Sequence, residues 1–141
     1  MKWSLDWDAH PGLLLLTVTG TMTPEAMAAL ADAVRSDAQS GAVIGTLADY
    51  RAVDTTPMTA LASRALAADN AQALGEGPRQ PVAIVTAPGQ AFGLASVFSG
   101  HMSGRRPDAP LRVFTSVPEA LAWLRDATAP PGPGSGPGPA G

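Results

Sequence analysis

The chain has 141 residues, 45% hydrophobic and 15% charged, with no cysteine and a formal net charge of −3. That length suits one domain, and the missing thiols exclude disulfides, cysteine nucleophiles and sulfur-ligated metal centres. The acidic balance, four basic against eight acidic residues up to Leu74, argues against general binding to nucleic-acid backbones.

The basic pair Arg105-Arg106, with His101 and Arg112 nearby, reads as a solvated loop. No apolar run approaches the ~20 residues that span a bilayer, and Leu13 to Leu16 with Val18, behind Asp6 and Asp8, is too short for a secretory signal. The expectation is a cytoplasmic protein without membrane insertion.

In chain order, Trp3, Leu5 and Trp7 alternate with Lys2, Ser4 and Asp6, the pattern of a half-buried strand. Asp8, His10-Pro11 and Gly12 supply turn chemistry, and Leu13 to Thr19 returns as a second strand, so the chain opens on a hairpin. Thr23-Pro24-Glu25 starts a helix, with threonine as cap, proline in the first turn and glutamate at the positive end of the dipole. Met27, Leu30, Ala31 and Val34 make its buried stripe, and Gly41 closes the connection.

Residues 42 to 48 read as a buried strand ending at Asp49-Tyr50-Arg51. Thr56-Pro57 repeats the cap-then-proline signal and opens an Ala-rich helix to about Leu74, stopped by Gly75. After Gly77-Pro78 and Pro81, Val82 to Thr86 is a strand. Ala91, Leu94, Ala95, Phe98 and Met102 then form a helical stripe broken by Gly100 and Gly104. Leu111 to Phe114 is the last strand. Ser116-Val117-Pro118-Glu119 is a capping box before a helix whose inner face carries Ala120, Trp123 and Leu124.

From Ala129 onward the chain is Pro, Gly, Ala and one Ser. Such a segment buries too little to offset its ordering entropy, so 1–128 is expected to be the domain and 129–141 a disordered tail. Its Pro130-Pro131-Gly132-Pro133 formally satisfies PxxP, but interleaved glycines remove the stiffness that polyproline ligands rely on. The order ββαβαβαβα predicts an α/β fold with a mainly parallel sheet and an N-terminal antiparallel hairpin.

No chemistry-bearing motif is complete. Gly75-Glu76-Gly77 has the first spacing of a dinucleotide loop, but Gln80 stands where its third glycine belongs. Gly100-His101-Met102-Ser103-Gly104 sets serine one position too late for a hydrolase elbow, although His101 and Ser103 are close in sequence. Asp49 and Asp54 follow a buried strand, where α/β folds place functional groups. Acid/base or cation work is open to them, and the plainer roles are an Asp49–Arg51 pair and a turn made by Asp54. No catalytic residue, cofactor or metal ligand is assigned.

Several stretches carry a resemblance. They are Leu14 to Gly20 leading into Thr23-Pro24-Glu25, Leu47-Ala48-Asp49-Tyr50-Arg51, Val82 to Val85, Phe92-Gly93-Leu94-Ala95, and Val113-Phe114 followed by Pro118-Glu119-Ala120-Leu121-Ala122-Trp123-Leu124. Together they resemble the STAS domain of sulfate transporters and anti-sigma-factor antagonists, and more narrowly the bacterial SpoIIAA-like family, which is related to CRAL-TRIO lipid-exchange domains.

The resemblance implies a non-catalytic regulatory module with a protein partner. In anti-sigma antagonists the loop after the central strand reads Asp-Ser-Ser-Gly-Leu, and its second serine is phosphorylated. Here that stretch is Asp54-Thr55-Thr56-Pro57-Met58, so Thr56 falls on the phosphorylated position and Pro57 replaces the glycine. Asp49, Asp54, Thr55 and Thr56 are therefore the candidate switch or interaction residues. The alternative is a binder of a small apolar, lipid-like ligand under the Ala-rich helix and the Phe92 to Met102 helix. The pattern sets no oligomeric state.

Overall fold

In the computed structural model, strands β1 (Lys2–His10) and β2 (Leu13–Thr21) form the antiparallel hairpin. They are followed by α1 (Pro24–Ser36), β3 (Gly45–Asp54), α2 (Ala60–Leu74), β4 (Val82–Val85), α3 (Gln90–Arg105), β5 (Leu111–Phe114) and α4 (Val117–Thr128). The structure describes residues 1–37, 43–74, 80–105 and 110–129, with backbone only for 70–74 and 105. Gly41, Gly75 to Pro78, Arg106 and the tail from Pro130 lie outside the described residues. The order ββαβαβαβα and the parallel sheet after an antiparallel hairpin are as the sequence predicts.

The strands lie side by side in chain order, β1-β2-β3-β4-β5. Every crossover therefore steps the same way, and right-handed crossovers stepping one way put their helices on one face. The packing follows. Leu16, Val18 and Ala48 meet Leu30 of α1 on that face, whereas Leu13, Leu47, Ala83 and Val85 meet Ala120 and Leu124 of α4 on the other. Among the described residues α4 alone covers the second face. On the first, α2 packs on α3 and α1 rather than closely on the sheet, which leaves room beneath it.

Two bulges shape the strands. The pairing of β1 with β2 shifts between Asp6 and His10, and Asp6 Oδ1 accepts from the N–H groups of Asp8 (2.9 Å) and Ala9 (3.0 Å). Asp8 and His10 thus belong to the strand rather than to the turn, which is Pro11-Gly12, with Gly12 at φ +77°. A left-handed residue is needed there, and glycine adopts it without steric cost.

The β2–β3 register shifts between Thr17 and Thr19. One extra residue in β3 leaves a backbone donor without a ladder partner, and Asp49 Oδ1 takes the Arg51 N–H at 3.0 Å. Strand β3 therefore runs past Asp49-Tyr50-Arg51 to Asp54, beyond its predicted end, because the carboxylate repairs the ladder locally.

The helix starts divide. Thr23 Oγ1 accepts from Ala26 N at 3.1 Å, with Pro24 in the first turn, and Ser116 Oγ accepts from Glu119 N at 3.4 Å. The predicted cap at Thr56 is corrected, since α2 begins four residues later and Thr59 caps it, its Oγ1 accepting from Ala62 N at 3.0 Å. Thr56 and Pro57 instead occupy a turn closed by Met58 N donating to Thr55 O at 2.9 Å. Helix α3 is also unbroken, running through Gly93, Gly100 and Gly104, which lie on open faces with nothing within 4 Å of a Cβ position.

Thr59→Ala should therefore cost about 1 kcal/mol in a urea titration, and Thr56→Val should leave the midpoint nearly unmoved. The reverse ranking would put the cap back at Thr56.

Candidate functional site

The residues singled out in the sequence lie along β3 and the loop after it, in two separate settings. Asp49 sits within the strand, where its carboxylate accepts from Arg51 Nε (3.0 Å) and Nη2 (2.9 Å) as well as from the Arg51 backbone. Burial pushes its pKa up, but these hydrogen bonds and the guanidinium charge outweigh burial and hold it below the ordinary carboxylate value.

Asp54, Thr55 and Thr56 come together at the end of the strand. Asp54 Oδ1 accepts from both the Thr56 hydroxyl and the Thr56 N–H, the latter at 2.9 Å, and these bonds lower the Asp54 pKa, the hydroxyl most.

The loop is held from both sides. Met58 is buried beneath it, and Gln90 Nε2 of α3 donates to Thr55 O at 3.5 Å. Thr56 and Pro57 between these anchors are exposed. Helices α2 and α3 rise from the same edge of the sheet and pack on each other, joined by Ser63 Oγ donating to Leu94 O at 2.9 Å. Their first turns present Leu61, 75% exposed, and Phe92, 38% exposed. Sequence reasoning missed both. Only the observation that Leu61 falls outside any apolar stripe on α2 could have found it.

A second feature lies under the same helices. A cavity of about 330 Å³ separates the sheet from α1, α2 and α3, walled mostly by apolar side chains, among them Leu16, Leu30, Ile84 and Phe98. Four of the five methionines, Met22, Met27, Met58 and Met102, line it. A recess between α1 and α2 shares Ala31, Arg35 and Leu66 with its wall, so the two adjoin. The cavity lies under the Ala-rich helix and the Phe92 to Met102 helix. Tyr50 on its wall was not foreseen, because a tyrosine within a strand carries no binding signature.

The remaining sequence candidates are not brought together. His101 and Ser103 are both exposed on α3, and residues two apart on a helix do not face each other. Arg112 lies with its guanidinium 5.4 Å from the Phe114 ring centre. Among the described residues no three His, Asp or Glu side chains gather as a metal site needs, and no helix is long and apolar enough to cross a membrane.

The model of the SpoIIAA-like family matches residues 13–125. In fold the chain is similar to the crystal structure of an anti-sigma factor antagonist from Mycobacterium paratuberculosis. The TM-score is 0.53 at 19% identity, over 89% of this chain and 96% of that one. No curated protein matches the chain.

Proposed function

The chain belongs to the SpoIIAA-like family, and on that premise we propose that it is a non-catalytic regulatory module that docks a protein partner through the Asp54–Met58 loop and the first turns of α2 and α3. The observation that carries this reading is the pair of exposed apolar side chains, Leu61 and Phe92, beside an exposed loop anchored by Met58 and Gln90. Aromatic and large apolar residues grouped on an otherwise polar surface are what interface centres are made of.

Thr56 is the proposed switch. Its hydroxyl is bonded to Asp54, so a phosphoryl group on that oxygen removes the bond and sets new negative charge against a carboxylate. The loop must then rearrange at the place a partner would read. Thr56 stands three residues before Thr59, the residue that caps α2.

The test is affinity capture from native extract with wild type and the double variant Leu61→Asp/Phe92→Asp. Leu61 is 75% exposed, and an acidic residue suits the first turn of a helix, so both proteins should give the same circular dichroism. The expected result is a discrete partner held by wild type and lost by the variant. An identical set of captured proteins would overturn the reading.

The second reading, a small apolar ligand, is favoured by the 330 Å³ cavity. Its volume falls in the range of small-molecule pockets, roughly 300–1,000 Å³.

A further inference from the structure

Protein interiors rarely keep both an apolar void and an unpaired polar group beside it, because each is costly on its own. Here the two coincide. Tyr50 forms part of the cavity wall, and its hydroxyl makes no hydrogen bond to any described residue. As a residue it is half-buried, and burial pushes its hydroxyl pKa up to about 12. It is therefore a neutral donor.

The other polar groups on the wall, the Thr46 and Thr55 hydroxyls apart, are committed. Ser63 donates to Leu94 O, Thr86 to Ala87 O, Gln80 to Val43 O, and Arg35 is paired with Asp32. Thr46 and Thr55 stand at the two ends of β3.

Resting on the second reading above, we infer that the cavity takes a neutral, mostly hydrocarbon molecule of about a dozen non-hydrogen atoms, whose one carbonyl or hydroxyl oxygen accepts from the Tyr50 hydroxyl. The size follows from the volume of 330 Å³, about twice the ~150 Å³ apolar cavity that stays dry and takes benzene. Neutrality follows from the wall. Its arginine already has a carboxylate, and an ionised head buried without a counter-charge is strongly disfavoured. The four methionines suit such a guest, because unbranched thioether side chains adapt to irregular shapes.

The experiment titrates 2-nonanone, and separately nonanoate, into full-length protein carrying 13C-methyl methionine, for wild type and Tyr50→Phe. The ketone should saturably shift the methyl signals of Met22, Met27, Met58 and Met102. Tyr50→Phe should bind it about tenfold more weakly, the value of one hydrogen bond to a desolvated group, and nonanoate should bind wild type more weakly than the ketone. Without ligand, Tyr50→Phe should melt at the same temperature as wild type or higher, because it removes an unpaired hydroxyl from the wall. Equal ketone affinity in the two proteins would overturn the role of Tyr50 and leave the apolar-ligand reading standing. Tighter binding of nonanoate would overturn neutrality, and no saturable shift in wild type would overturn both inference and reading.

Discussion

Leu124→Ala is expected to lower the unfolding free energy by roughly 2–5 kcal/mol, the range for emptying a buried leucine site. Leu124 is fully buried and packs with Leu13, Leu47, Ala83, Val85 and Ala120. Among the described residues no other helix covers that face of the sheet, so no second helix can settle into the void, and the loss should lie in the upper half of the range. Domains of this size have only about 5–15 kcal/mol to lose, so the urea midpoint should fall steeply with little change in slope. Trp123→Ala should cost less than Leu124→Ala. Trp123 is half-buried, its ring 5.8 Å from that of Phe114 at a tilt of 50°. A Leu124→Ala loss under about 1 kcal/mol would mean that α4 is not docked on β3, β4 and β5.

Gly45→Val is expected to destabilise by about 1–3 kcal/mol through overpacking rather than through a cavity. A Cβ on Gly45 would lie 3.0 Å from Thr128 Cγ2, 3.2 Å from Leu124 Cδ1 and 3.3 Å from Leu13 Cδ2. Thr128 gives way poorly, because its hydroxyl donates to Leu124 O at 2.9 Å and holds its rotamer at the last turn of α4. The backbone of Gly45 has no positive φ, so the cost is contact alone. Combined with Leu124→Ala, the valine should fill part of the void, and the double variant should lose less than the sum of the two. Strict additivity would mean that Gly45 and Leu124 do not touch.

Most of the fold was legible because its signals are local. Thr23-Pro24 and Ser116 to Glu119 act as caps where the sequence sets them, and the strand–helix alternation gives the topology once crossovers are right-handed. What failed was local signal overruled by tertiary context. Thr56-Pro57 has the chemistry of a helix start, but Asp54 takes both the hydroxyl and the N–H of Thr56, and the chain makes a turn before Thr59 caps the helix. Asp49 read first as a partner for Arg51 and only second as a functional carboxylate, and it is that partner. A bulge in β3, invisible in composition, explains why it accepts from the Arg51 backbone as well as from its side chain. The unpaired Tyr50 hydroxyl depends on how α2 stands relative to α3 and the sheet, which no spacing of residues encodes.

The central claim, that a protein partner docks on the loop after β3 and the adjoining helix starts, is tested most directly by photo-crosslinking in the native cell. A benzophenone amino acid is placed at Leu61 in one protein and at Ser4, an exposed position on edge strand β1, in another. The claim leads us to expect one discrete adduct from position 61, weakened by Thr56→Asp, and none from position 4. Adducts from position 4 with none from position 61 would contradict it.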